Sequence, residues 1–135
     1  MALEVENGYP VLTMDLGSGP QRIMNEKFVA DDRWYKASVN RAGKTVKFVI
    51  EEEDQHGNSR ETVKEDYLPG TKSLFNVDKN SSKLYLGGLP PGESGVPVKS
   101  STYRGNVEEL TIGGEKVGLW NFKDAENVAP ALEKY

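Results

Sequence analysis

The sequence predicts an all-β domain, an antiparallel β-sandwich of the jelly-roll type, on three observations. Short runs alternate apolar and polar residues with a period of two, as in Val46, Phe48 and Ile50 or Leu84 and Leu86. Glycine closes run after run, at Gly43, Gly87-Gly88 and Gly113-Gly114. No stretch carries the apolar spacing of a long helix.

Taken in order, Ala2–Glu6 reads as a strand that turns at Asn7-Gly8 into a second over Tyr9–Leu16, since Asn-Gly supplies the positive φ angles of a tight hairpin. Gly17-Ser18-Gly19-Pro20 is a turn, followed by short runs at Arg22–Met24 and Lys27–Ala30 and a break at Asp31-Asp32. From Trp34 a hairpin places Tyr35, Ala37 and Val39 on one face and returns through Ala42-Gly43 with Val46, Phe48 and Ile50 on the same face. Lys36, Ser38, Thr45 and Lys47 then face the other way. Residues 52–60 read as a polar loop, Glu61–Lys64 as a strand, and Tyr67-Leu68-Pro69-Gly70 as a turn into Leu74–Val77. Strands are expected at Lys83–Gly88, Val107–Ile112 and Val117–Phe122, with a Pro, Gly and Ser-rich loop from Leu89 to Ser101. About ten short strands make a two-sheet sandwich. The domain is expected over 1–122, with 123–135 a tail whose alanines fit one helical turn.

Composition removes several functions. The 135 residues suffice for one buried core, and the net charge of −4 lacks the basic excess of a dedicated nucleic-acid binder. The absence of cysteine leaves no disulfide framework and no zinc cluster, and no apolar run has the length of a membrane span. His56 is the single histidine, in a polar loop with no Gly-x-Ser-x-Gly elbow to pair with it. Glu52-Glu53-Asp54 does not complete the paired carboxylates of a jelly-roll glycosidase, because Gly57 stands where the second catalytic acid is needed. Gly17-Ser18-Gly19 lacks the third glycine and the helix of a phosphate cradle. No catalytic residue is identified.

The charge is unevenly spread. Seven basic residues fall between Arg22 and Lys47 against three acidic ones, and seven acidic residues fall between Glu51 and Asp66 against Arg60 and Lys64. Arg33, Lys36, Arg41, Lys44 and Lys47 are thus candidates for a basic strip that binds a sulfated glycan or an acidic receptor surface; the plainer alternative is strands with ordinary lysine-bearing outer faces. Asn80-Ser81-Ser82 is a glycosylation sequon ahead of a strand.

Leu84-Tyr85-Leu86-Gly87-Gly88-Leu89-Pro90, together with Asp15–Pro20, Phe28–Tyr35 and Val117-Gly118-Leu119-Trp120-Asn121-Phe122, resembles a laminin G-like domain. The last of these looks most like domains at the C-terminal end of laminin α chains. The resemblance implies a concanavalin-like jelly roll and an extracellular matrix adhesion module, with integrin or dystroglycan-type receptors, heparan sulfate-like glycans and neighbouring domains of the parent chain as partners. A lectin-like sugar binder of another secreted or cell-surface protein is the alternative, and a carbohydrate-active enzyme a third. The resemblance also implies further strands ahead of Ala2, a disulfide for which Asn106 stands at the cysteine position, and Ca2+ at one rim. Gly19 and Pro20 occupy the turn where calcium-binding members carry an acid, leaving Asp15, Asp124 and Asn127 as possible oxygen donors and no assigned metal site.

Overall fold

The computed structural model describes residues 1–71, 83–90, 92, 95–100, 102–119 and 123–126. The expected strand at Leu74–Val77, the Asn80 sequon, Trp120–Phe122, Asn127 and most of the tail lie outside the described residues. Eight strands and no helix are found among the described residues: β1 (Ala2–Glu6), β2 (Tyr9–Asp15), β3 (Pro20–Met24), β4 (Lys36–Ala42), β5 (Thr45–Glu53), β6 (Ser59–Tyr67), β7 (Leu110–Ile112) and β8 (Glu115–Val117). They fall into two compact units, Met1–Tyr103 and Arg104–Tyr135. The first holds two antiparallel sheets, β1-β2-β3 and β4-β5-β6, and the second the hairpin β7-β8.

Alternation builds the core of the first unit. Register pairs Leu3 with Leu12 and Leu12 with Ile23 on one face of the first sheet, and Val39 with Phe48 and Ala37 with Ile50 on one face of the second. Leu12, Met14, Leu16 and Ile23 then form one cluster with Val46, Phe48, Ile50 and Leu68, against which Val29, Tyr35 and Val39 pack. Each fully buried aliphatic or aromatic side chain contributes about 1.5–3 kcal/mol, so the shared cluster holds the two sheets together. β2 is buried on both faces, since Val11 and Thr13 are as inaccessible as Leu12 and Met14. The strand accordingly reads as a continuous run, Val11-Leu12-Thr13-Met14, rather than an alternating one. Leu3, on the edge strand β1, remains 53% exposed although its row points inward.

A buried side-chain amide joins the sheets where apolar contact alone would let them slide. Asn25 is fully buried just after β3; its Nδ2 donates to the Phe48 carbonyl at 3.2 Å and the Thr62 carbonyl at 2.9 Å. Its Oδ1 accepts from the Lys27 amide at 2.9 Å and its own N–H donates to the Pro10 carbonyl at 2.9 Å. One residue thus ties β2, β5 and β6. Gln21 Nε2 adds a further link from β3 to Asp66 Oδ2 of β6 at 3.2 Å.

The Asn7-Gly8 turn forms as expected, with φ of 52° and 89°. Here the glycine is needed twice over, because a Cβ on Gly8 would come within 2.1 Å of the Phe28 ring as well as sitting at positive φ. Phe28 also meets Tyr9 edge-on at 5.6 Å, and the Val29 amide donates to the Gly8 carbonyl at 2.8 Å. The run at Lys27–Ala30 is therefore a side-chain and backbone brace on the first hairpin and not a strand.

Two further expectations change. β5 and β6 extend to nine residues each, so the loop expected over 52–60 shrinks to Asp54–Asn58. Among the described residues Lys83–Gly88 is not a strand: Gly88 makes an isolated bridge to Thr102, the Tyr103 amide donates to the Gly87 carbonyl at 2.7 Å, and Leu84, Tyr85 and Leu86 are partly exposed.

Replacing Asn25 with Ala removes its bonds to the Phe48 and Thr62 carbonyls and to the Lys27 amide and is expected to lower unfolding stability by about 2–4 kcal/mol, read from the denaturant midpoint. Asn25→Asp is expected to cost more, since a carboxylate faces two carbonyl oxygens. Gly8→Ala is expected to destabilise by about 1–3 kcal/mol through strain and the Phe28 contact, and an unchanged melting curve would contradict the assigned turn.

Candidate functional site

The five basic candidates divide between the two ends of the second sheet. Lys36 begins β4 and lies in a cross-strand row with Glu51 and Glu61. Arg33, in the segment before it, keeps Nε 3.8 Å from Asp31 Oδ2. Arg33 also lines a depression of about 270 Å³ with Glu52, Glu53, Asp54, His56 and Arg60. At the opposite end, Arg41, Lys44 and Lys47 surround the turn of the β4–β5 hairpin. Arg41 and Lys47 line a second depression of about 320 Å³ with Asn40, Ala42, Thr45 and Glu65. Lys44 sits in the turn itself, where its Nζ donates to the Gly70 carbonyl at 2.6 Å and its carbonyl accepts from Leu68 N at 2.8 Å.

The other basic residues of the same stretch are held by acids from distant strands. Arg22 bridges Glu4, at 3.5 Å, and Glu6 across the outer face of the first sheet. Glu4, only 7% exposed, also accepts the Lys99 amide on both oxygens, at 3.1 and 3.2 Å, while Lys99 Nζ lies 3.3 Å from Glu6 and Ser100 Oγ donates to the Val5 carbonyl at 3.0 Å. Residues 99–100 are thereby strapped to β1. Lys27 donates to Glu52 Oε1 at 2.9 Å and lies 5.8 Å from the centre of the Tyr35 ring.

Acidic groups serve the turns. Asp54 Oδ1 accepts the His56 and Asn58 amides at 2.8 and 2.9 Å, closing the β5–β6 hairpin, and these bonds, led by that from Asn58, hold its carboxyl below the usual range. Asp15 Oδ1 accepts the Gly17 and Gly19 amides at 2.6 and 3.1 Å. That oxygen faces hydrogen-bond donors, the reverse of what a cation needs. Among the described residues no group of three His, Asp or Glu side chains converges to hold a metal ion.

Asp31 and Tyr35 are the most perturbed pair. Tyr35 Oη donates to Asp31 Oδ2 at 2.6 Å, which lowers the Asp31 carboxyl from its ordinary value. Burial first, then that hydrogen bond and the Asp31 charge, pushes the Tyr35 phenol up to about 12.

A family model described as Laminin G domain matches residues 1–115. The chain belongs to the laminin G domain family. Its all-β antiparallel structure is thus a laminin G-like jelly-roll sandwich. It is 46% identical over 125 residues, 90% of its length, to a laminin subunit alpha of Drosophila melanogaster. It is 31% identical over 128 residues to human laminin subunit alpha-1 and 27% identical over 128 residues to that of Mus musculus, covering 93% of its length in both. The chain spans 3% of the fly protein and 4% of each mammalian one. No solved structure matches it significantly.

Sequence reading found Thr45 and the basic residues of the hairpin end but not Asn40, Glu65 and Tyr67 beside them. The available signal was the alternation Glu61, Val63, Glu65, Tyr67, which places these four side chains on the outer face of β6.

Because the Tyr35 phenol is held above the 10.0 of a free tyrosine, the folded state keeps its proton longer than the unfolded state. The associated stabilisation is whole below pH 10 and is lost as pH rises through about 12. Ultraviolet titration is expected to show one tyrosine ionising near 12, and Tyr35→Phe to remove it and flatten the alkaline fall in melting temperature. A titration in which all tyrosines ionise together near 10 would count against the Asp31–Tyr35 contact.

Proposed function

We propose that the chain is an adhesion module of a laminin-type extracellular matrix protein, secreted, without catalytic activity, that binds matrix glycans or cell-surface receptors. The observation that carries this reading is the gathering of Arg41, Lys44 and Lys47 around one hairpin turn of a laminin G domain. Neighbouring ammonium and guanidinium groups on a rigid sheet suit the sulfates and carboxylates of heparan sulfate-like chains or an acidic receptor glycan of the dystroglycan type. Arg33 and Lys36, flanked by Asp31, Glu51 and Glu61, make a weaker contribution at the far end. The similarity to laminin alpha subunits supports the matrix setting, and the small share of those proteins that the chain spans leaves room for flanking domains as partners in integrin binding. Asn80 is proposed to carry a glycan, and 1–122 to be the domain proper.

On immobilised heparin the chain is expected to be retained at low salt and released as salt rises, the mark of ionic contacts. The double change Arg41→Glu and Lys47→Glu is expected to lower the eluting salt clearly, and Lys36→Glu to lower it less. Passage of the wild-type chain without retention at low ionic strength would sink the glycan reading. The isolated chain is expected to bind integrin only weakly, and a tight complex in a surface-binding assay would contradict the need for neighbouring domains.

A further inference from the structure

The turn between β1 and β2 carries chemistry that adhesion does not use. Asn7 is the one asparagine in the chain that is followed by glycine. With no side chain on the following residue, the Gly8 nitrogen meets little hindrance in attacking the Asn7 carboxamide carbon to close a five-membered ring. Both reacting groups are available: Asn7 is exposed, and among the described residues neither its carboxamide nor the Gly8 N–H makes a hydrogen bond. Other asparagines differ. Asn58, ahead of Ser59 in the β5–β6 loop, donates from Nδ2 to Asp54 Oδ2 at 3.1 Å and from its N–H to Asp54 Oδ1 at 2.9 Å. Asn25 is buried and bonded through both ends of its amide.

The same turn restrains the reaction. With φ of 52° and 89° the pair forms a type I′ turn, whose first residue has a small positive ψ. Ring closure instead brings the Gly8 nitrogen into line with Cβ about the Cα–C bond of Asn7, so the turn must open first. Opening is resisted by the 2.8 Å bond from the Val29 amide to the Gly8 carbonyl and by the Phe28 ring, which packs so closely that a Cβ on Gly8 would stand 2.1 Å from it. Tyr9 holds that ring edge-on at 5.6 Å. Phe28 is nonetheless 45% exposed, so the brace can lift while the core stays closed.

We propose that Asn7 is a site of spontaneous deamidation whose rate is set by the brace of Phe28 and Val29. In the open turn the Gly8 nitrogen gives its proton to hydroxide and forms a bond to Asn7 Cγ; the Cγ–Nδ2 bond breaks, and Nδ2 takes a proton from water and leaves as ammonia. A second water opens the resulting succinimide at either carbonyl, giving aspartate or isoaspartate at position 7, with nothing oxidised or reduced. The two products differ in structure. Aspartate tolerates positive φ much as asparagine does, so the turn re-forms. Isoaspartate carries Cβ in the main chain, and the lengthened loop no longer suits the two-residue turn that sets Glu6 opposite Tyr9 and Leu3 opposite Leu12. That form loses the register of β1 and, with it, the placement of Glu4 and Glu6 that holds Arg22.

The test follows position 7 by peptide mass and by labelling with an isoaspartate-specific methyltransferase during long incubation in neutral buffer. The chain is compared folded, unfolded in guanidinium chloride, and as the folded Phe28→Ala variant. Product is expected at Asn7 in the unfolded chain and at least about tenfold more slowly in the folded one. Phe28→Ala is expected to raise the folded-state rate about three- to tenfold, while Asn58 reacts no faster than in the wild type and so shows that the variant stays folded. Where Asn58 accelerates too, Phe28→Leu, which keeps an apolar side chain, replaces it with the same expected direction. Asn7→Asp is expected to melt near the wild type, and a large loss overturns aspartate as the tolerated product. Equal rates in the folded and unfolded chain, or a wild-type rate in the folded Phe28 variant, overturn the brace. Absence of product at Asn7 in the unfolded chain overturns the site itself.

Discussion

The first unit depends on one buried amide. Apolar contact between Phe48, Ile50, Leu12 and Ile23 brings the sheets together, but dispersion and the hydrophobic effect are indifferent to a small shift along the strands. Asn25 removes that indifference. With a donor pair aimed at Phe48 and Thr62 and an acceptor aimed at Lys27, only one placement of β3 against β5 and β6 satisfies all of its groups. A half-satisfied amide in that position costs more than a missing apolar contact. The hairpin turns, the β5–β6 register and the outward rows of the second sheet inherit their positions from that placement.

Much of this architecture is legible in the sequence because it rests on local chemistry. Asn7-Gly8, Gly43 and Gly113-Gly114 announce turns that each require positive φ, and the pairing of Val39 with Phe48 follows from alternation and a two-residue turn. β6 is not legible in full. Ser59-Arg60-Glu61 and Lys64-Glu65-Asp66 are polar on both sides of the strand, so no apolar period marks them and only pairing with β5 makes them regular. Lys83–Gly88 differs in the opposite sense, with a clear period and, among the described residues, only the Gly88–Thr102 bridge. Asn25 is invisible for a third reason: a lone polar residue after a strand looks like a loop residue, and its value appears only once two distant carbonyls converge on it.

The candidate site shows the same division. Counting charges along the chain locates the basic stretch between Arg22 and Lys47, yet chain order says nothing about which acids reach back. Glu4 and Glu6 take Arg22, Glu52 takes Lys27, and Glu51 and Glu61 flank Lys36. Arg41, Lys44 and Lys47 lie together near the β4–β5 turn, where Lys47 has Glu65 as its cross-strand neighbour and Lys44 holds the Gly70 carbonyl. Exposed charges along β6 serve another purpose, since Glu61, Lys64 and Glu65 discourage a second strand from pairing with that edge.

The strap on β1 bears on how the unit assembles. The bonds from Lys99 to Glu4 and from Ser100 to Val5 join residues separated by 95 positions, whereas the β1–β2 hairpin closes around two. Closing so long a span is entropically costly and comes after the local hairpins have formed. During synthesis the first strand must therefore wait for nearly the whole unit to emerge before its buried carboxylate meets its amide partner. Over that interval Glu4 has Arg22 as its charged partner, and the bonds to Lys99 come last.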